Sequence, residues 1–247
     1  MSKTFNLNQF LFQRSALYLI AFFAFAMLAF WSSYYSILGR PMSFYVHFHG
    51  LFMTLWCLML IGQAVLIRTK KYNIHTLVGK ASYMVFPLLI LSTILLIHAT
   101  IRKSPEVNLG TYFSMALMFN ATVVLMIIYV LGIYFRKDRF THARYMVCTI
   151  FPLFTPITDR IIYKYIPALV ELAPKLEGSP VVPFFGYLLA DLIVIGLAVW
   201  DWKTHRRKDV FLIVLVLLLI YHISLFTFFK IPAWQDFSAW FYGIDLT

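Results

Sequence analysis

Charge is scarce in this chain: 13% of its residues are Asp, Glu, Lys or Arg, about half the share carried by a soluble domain. Acid is scarcer still, with 10 acidic side chains against 21 basic ones and a net charge of +11. That shortage, with 62% hydrophobic residues and a mean hydropathy of +0.80, excludes a water-soluble globule. Cysteine is nearly absent. Cys57 and Cys148 both fall inside apolar runs, which argues against a disulfide framework or a CxxC centre. There is no glycine-rich phosphate loop, no GxSxG nucleophile motif, and no polar stretch long enough for a nucleotide- or flavin-binding domain. No small-residue cleavage site follows the first apolar run, so that run is expected to be a retained helix rather than a signal peptide. The excess of base does not point to nucleic acid, because Lys and Arg sit in short turns between apolar runs. Their expected roles are orientation and contact with anionic head groups.

What the chain has instead is apolar length. Seven runs, at about 16–38, 43–67, 77–100, 112–135, 144–165, 184–201 and 210–230, each approach the roughly 20 residues that cross a bilayer. The expected fold is therefore all-α: a polytopic membrane helix bundle of seven transmembrane helices, forming one integral membrane domain over 1–247. Gly39-Arg40-Pro41 and Ser104-Pro105 interrupt the first and third connections, and the longest runs from Pro167 to Pro183. Short connections make neighbouring helices antiparallel.

Orientation is read from Lys and Arg. One side collects Lys3, Arg14, Arg68, Lys70, Lys71, Arg136, Lys137, Arg139, Arg144, Lys203, Arg206, Arg207 and Lys208. The other has Arg40, Arg102, Lys103, Arg160, Lys164, Lys175 and Lys230. The ratio is about two to one, which puts the first side in the cytoplasm. The N-terminus is then inside and the C-terminus outside, in a bacterial inner (plasma) membrane. The aromatic tail IPAWQDFSAWFYGIDLT is expected in the outer interface. Three basic turns each carry one histidine, His75, His142 and His205. That pattern fits either an internal repeat or convergent turn chemistry.

A polar side chain inside a bilayer is expensive, so each one is informative. The buried set comprises His47, His49, Gln63, His98, Asn120, Asp159, Arg160, Asp191 and His222. Most of the ionisable members share the outer half. His47 and His49 are about 200° apart on a helix, so only one can face inward. His49 shares its face with Trp56 and Gln63 and is expected inside; His47 is expected to face head groups or a neighbour. Arg160 is expected to neutralise Asp159 or to reach Asp191. Asp191 stands alone in an apolar run and needs a partner, Arg160 or His222. Asn120 is expected to bridge two helices by a hydrogen bond.

The HxHG start (His47 to Gly50), IHTLVG (Ile74 to Gly79) and HARYM (His142 to Met146) resemble a segment of uncharacterised bacterial multi-span membrane proteins. IHTLVG is also similar to the LHxxLG element of transmembrane di-haem cytochromes b and ferric reductases. That resemblance implies a b-type haem electron carrier or reductase. His75 would be a ligand near the cytoplasmic side with His142 as its partner, and His49 an outer ligand paired with His98 or His222. Electrons would come from a quinol or a redox partner protein. The helix number and raw residues are also similar to seven-span hydrolases of the alkaline ceramidase and adiponectin-receptor type. These imply zinc held by His49, His98 and His222 with Asp191 or Asp159 nearby, although the family's clustered C-terminal histidines are lacking. A third expectation is a carrier or assembly factor without cofactor, in which Asp191, Asp159-Arg160 and His222 form a proton- or substrate-coupled path.

Overall fold

In the computed structural model, residues 14–247 are described, so Lys3 lies outside the described residues. Almost every element is a helix. The first is α1 (Ser15–Phe30), followed by a 3-10 turn at Tyr35–Ile37. Then come α2 (Phe44–Arg68), α3 (Tyr72–Ile101) and α4 (Leu109–Tyr134). Next are α5 (Arg139–Cys148), a 3-10 turn at Phe151–Leu153, and α6 (Phe154–Tyr165). The short α7 (Ala168–Leu172) precedes a tiny hairpin of β1 (Lys175–Leu176) and β2 (Ser179–Pro180). The chain ends with α8 (Pro183–His205), α9 (Val210–Thr227), a 3-10 turn at Phe228–Lys230, and α10 (Pro232–Gly243).

Local sequence explains where these elements start and stop. Asn108 caps α4: its side chain accepts from the Thr111 amide at 3.1 Å while the Thr111 hydroxyl accepts from the Asn108 amide, closing a capping box. Asp138 caps α5 by accepting from the amides of Phe140 and Thr141. The hairpin turns on Glu177 and Gly178, with φ of 47° and 81°, the left-handed geometry of a two-residue hairpin loop.

Five helices are long and apolar enough to cross a membrane: α2, α3, α4, α8 and α9, the last counted through Lys230. Their outward faces carry exposed Leu, Ile, Val and Phe, such as Leu51, Leu91, Val130, Leu192 and Ile220. A surface of that kind suits lipid rather than water, and the chain is an integral membrane protein. The remaining two expected spans differ from simple rods. The described part of α1 has 16 residues. The run expected at 144–165 is not one helix but α5, a 3-10 turn and α6. Pro152 sits in that turn and Pro156 in the first turn of α6. A proline lacks the amide an α-helix needs and clashes with the preceding turn, so the chain re-starts there.

The helices close into a ring. α1 packs on α2, α2 on α3, α3 on α4, α4 on α9, α9 on α8, α8 on α6, and α6 returns to α1. The α5 half of the broken segment packs against α4 and α9. Gly186 permits the α6–α8 approach, since a Cβ there would collide with the Thr158 side chain and the Thr155 backbone; small residues at such crossings let helices come close in lipid. On the α2–α3–α4 side, Trp56, Phe86 and Tyr129 interlock. Phe86 stacks on Tyr129 at 3.7 Å and Trp56 meets their edges at 5.1 and 5.6 Å. The Tyr129 hydroxyl is 2.9 Å from that of Ser82.

One end of the bundle holds the turns after α2, α4 and α8 and is rich in Lys and Arg; it is the basic end. Across the opposite end lies α10. Its Trp234 indole donates to the Tyr112 carbonyl at 3.3 Å and its Tyr242 hydroxyl donates to the Ser104 carbonyl at 2.9 Å.

Candidate functional site

A largely buried carboxylate–imidazole pair joins α8 to α9. His222 Nδ1 lies 2.9 Å from Asp191 Oδ2. Asp191 is eight residues from the start of α8, about 12 Å along its axis. His222 is 7% exposed, and the Tyr187 ring stacks on its imidazole at 3.9 Å. Tyr187 precedes Asp191 by four residues, one helical turn, so both side chains leave α8 on the face that meets α9. With Nδ1 carrying the proton toward the carboxylate, Nε2 keeps a lone pair. The second carboxylate oxygen, Asp191 Oδ1, is buried and has no hydrogen-bond partner. A buried carboxylate oxygen without a donor is costly and ready to accept one.

Next to this pair, α9 is tied to α4. Asn120 donates to the Ser224 hydroxyl at 2.7 Å, Ser224 donates to the Tyr221 carbonyl at 2.6 Å, and the Tyr221 hydroxyl donates to the Leu117 carbonyl at 3.0 Å. Asn120 is thus an interhelical bridge, as its sequence context suggests.

Asp159 and Arg160 interact electrostatically, as expected, but without a direct salt bridge among the described residues. Asp159 Oδ1 is buried without a partner. Arg160 donates to the Pro156 carbonyl at 2.9 Å and lies 4.2 Å over the Phe30 ring. Among the described residues Arg160 makes no salt bridge to Asp159 or Asp191. Adjacent helical positions point about 100° apart, so Arg160 turns to α1 while Asp159 stays inside.

The other histidines take separate places. His49 Nδ1 is 3.2 Å from the Thr93 hydroxyl, linking α2 to α3. It shares its helix face with Trp56, which is fully buried, and Gln63, which donates to the His75 carbonyl at 3.1 Å. His47 instead meets the edge of Tyr34 at 5.8 Å. His98 is fully engaged by the C-terminal segment: Nδ1 is 2.6 Å from the Thr247 hydroxyl and Nε2 is 3.0 Å from the Ile244 carbonyl. His142 Nδ1 donates to the Gly132 carbonyl at 2.7 Å. His75 Nδ1 is buried without a partner, and its ring is within electrostatic range of His142.

This arrangement does not fit the expected zinc site. His49 faces α3, His98 faces the C-terminal segment and His222 faces α8. Among the described residues no three of His, Cys, Asp and Glu converge to hold a metal ion. It also removes His98 as a haem ligand, because both ring nitrogens are occupied. His142 Nδ1 is anchored to a carbonyl, which leaves Nε2 as its other ring nitrogen, and His75 Nδ1 has no partner; His49 and His222 are likewise anchored through Nδ1 alone.

A second polar cluster, missed from sequence, lies toward the basic end. Arg144 of α5 and Asp201 of α8 are 1% and 2% exposed. Arg144 donates through Nε and Nη2 to the two carboxylate oxygens at 2.8 and 2.7 Å. His205 Nδ1 lies 3.0 Å from Asp201 Oδ1. Arg207 donates to the Thr141 hydroxyl at 2.7 Å and pairs with Asp209. One signal was available: Asp201 is an acid at the end of an apolar run, four residues before His205.

Comparison with protein-family models, curated proteins and solved structures returns no match for this chain.

Proposed function

We propose that this chain is a seven-span, proton-coupled membrane carrier for a small polar or anionic substrate. The observation that carries this reading is the His222–Asp191 pair, with Asp191 Oδ1 left unpartnered inside the bundle. An acid and an imidazole at hydrogen-bond distance can pass a proton between them. Ionisable groups inside a membrane bundle mark proton or substrate paths. Asp159, also buried with an unpartnered oxygen, supplies a further acceptor on α6. The α5–α6 break supports the same reading, because discontinuous spans accompany midplane sites in carriers.

In this proposal α1 and the α5–α6 segment complete seven spans. The basic end faces the cytoplasm of a bacterial inner membrane by the positive-inside rule. The N-terminus is inside, and α10 covers the outer end. The Asp191–His222 pair then lies in the outer half. The test uses purified protein in vesicles loaded with a pH-sensitive dye. Under an inward proton gradient, at least one of a panel of small organic anions and neutral polar solutes should accelerate acidification over empty vesicles. No acceleration with any of them would overturn the carrier reading.

A second reading is supported by one observation: His75, with a buried unpartnered Nδ1, lies within electrostatic range of His142. In it these two residues bind haem b, which supplies one-electron transfer with a quinol or a redox partner protein as donor. Dithionite-reduced minus oxidised spectra of the purified protein decide it. Sharp reduced b-type bands lost in both His75→Ala and His142→Ala are the expected result, and a colourless protein ends the haem reading.

A further inference from the structure

We infer that the basic end of the α8–α9 hairpin binds one anionic phospholipid. Ala198, Val199, Trp202, Arg207, Lys208 and Leu212 line a groove of about 250 Å³. Its walls turn outward. Val199, Trp202 and Leu212 are 42%, 44% and 48% exposed, so the groove opens on the surface that faces hydrocarbon, away from the ring's interior. It is separate from the Asp191–His222 site, and the inference does not depend on the carrier reading.

The rim of the groove is basic. Lys208 Nζ sits 5.0 Å over the Trp202 ring. Arg206, in a left-handed conformation with φ of 56°, ends α8 and turns the chain into the short link to α9. Arg207 is fixed by the Thr141 hydroxyl and Asp209. The two carboxylates beside the groove are already engaged, Asp209 by Arg207 and Asp201 by Arg144. Among the described residues Lys203, Arg206 and Lys208 make no salt bridge. Lys208 therefore presents uncompensated positive charge directly above an apolar wall, with Lys203 and Arg206 exposed at the same end of α8.

That juxtaposition matches a phospholipid with net negative charge. Its phosphate would lie beside Lys208, within the longer-range field of Arg206 in the adjoining turn, and an acyl chain along Val199 and Leu212. Basic pockets between membrane helices take anionic head groups in this way, and an indole at this level suits the interface. Free phosphate would leave the apolar wall uncovered. A zwitterionic lipid would fill the wall but gain little from the rim. If the basic end is cytoplasmic, the site faces the leaflet where anionic lipid is met.

The test is native mass spectrometry of the full-length protein in detergent, titrated with phosphatidylglycerol or phosphatidylcholine of equal chain length. The expected result is one phosphatidylglycerol retained at activation energies that strip phosphatidylcholine. Lys208→Gln should weaken its retention about fivefold and Lys208→Gln with Arg206→Gln about 25-fold, the range for removing one or two basic residues at a membrane surface. Trp202→Leu with Val199→Asn should weaken both lipids, and Lys70→Gln with Lys71→Gln, at another turn, should change nothing. Equal retention of the two lipids, or unchanged retention in the Lys208 and Arg206 variants, would overturn the inference. So would displacement of the lipid by millimolar inorganic phosphate. A lipid-independent dimer abolished by Trp202→Leu would assign the groove to a second copy and overturn it likewise.

Discussion

Arg144 and Asp201 meet as a fully buried two-pronged ion pair, Nε and Nη2 against both carboxylate oxygens at 2.8 and 2.7 Å. They join α5, the first half of the broken segment, to the end of α8. Because the chain re-starts at Pro152, α5 cannot borrow rigidity from α6. The ion pair and the contacts of α5 with α4 and α9 hold it instead.

Removing one partner of that pair strands a charge in a water-poor interior. Asp201→Ala is expected to destabilise the protein by about 3–5 kcal/mol, seen as a large drop in the thermal midpoint in detergent. The joint change Arg144→Met with Asp201→Leu should recover most of the loss, since a buried pair replaced by well-packed apolar groups is often neutral. A double variant as unstable as Asp201→Ala would show that the cost comes from packing and not from the stranded charge.

His98 anchors the C-terminal segment through both ring nitrogens, while Arg102 donates to the Tyr242 carbonyl at 3.3 Å. His98→Ala should loosen α10 without unfolding the bundle. Amide exchange over 232–243 should rise about fivefold to 30-fold, the range for losing one or two hydrogen bonds of ordinary strength. Exchange in α8 and α9 should stay unchanged. Uniformly faster exchange would mean that His98 supports the whole fold.

The basic end should weaken in acid. The Thr141 hydroxyl, with the amides of Thr141 and Phe140, holds the Asp138 carboxyl below the usual carboxylate range. Arg207 does the same for Asp209. A depressed folded pKa contributes stability that is complete above the unfolded value, about 3.9, and is lost as pH falls through the folded value. Thermal midpoints should therefore decline below about pH 4. Asp138→Asn, which keeps a capping side chain, should make that decline shallower. The same slope in the variant would exclude Asp138 as a contributor.

Hydropathy made the membrane class and the five long helices legible, because twenty apolar residues in a row admit few other fates. It hid the break at Pro152, since averaging over a span blurs a single turn. Asp191 stood out as an isolated acid, and its partner was one of the two expected from sequence. Asn120 likewise proved to be a bridge. His98 looked like a ligand because nothing local shows that Thr247 and Ile244, nearly 150 residues on, fold back to occupy it. By sequence alone Arg144 reads as one of the orienting turn charges. Only the three-dimensional approach of α5 to α8 shows it buried against Asp201.

In the proposed carrier, Asp191 and His222 move protons for transport. The most direct test is dye-reported proton uptake into vesicles containing wild-type protein or Asp191→Asn, matched for inserted protein and melting temperature. Asparagine keeps the shape and a hydrogen bond to His222 but cannot accept the proton. Substrate-dependent acidification is expected from the wild type and none from Asp191→Asn; an Asp191→Asn variant that acidifies at the wild-type rate would rule out proton transfer through this pair.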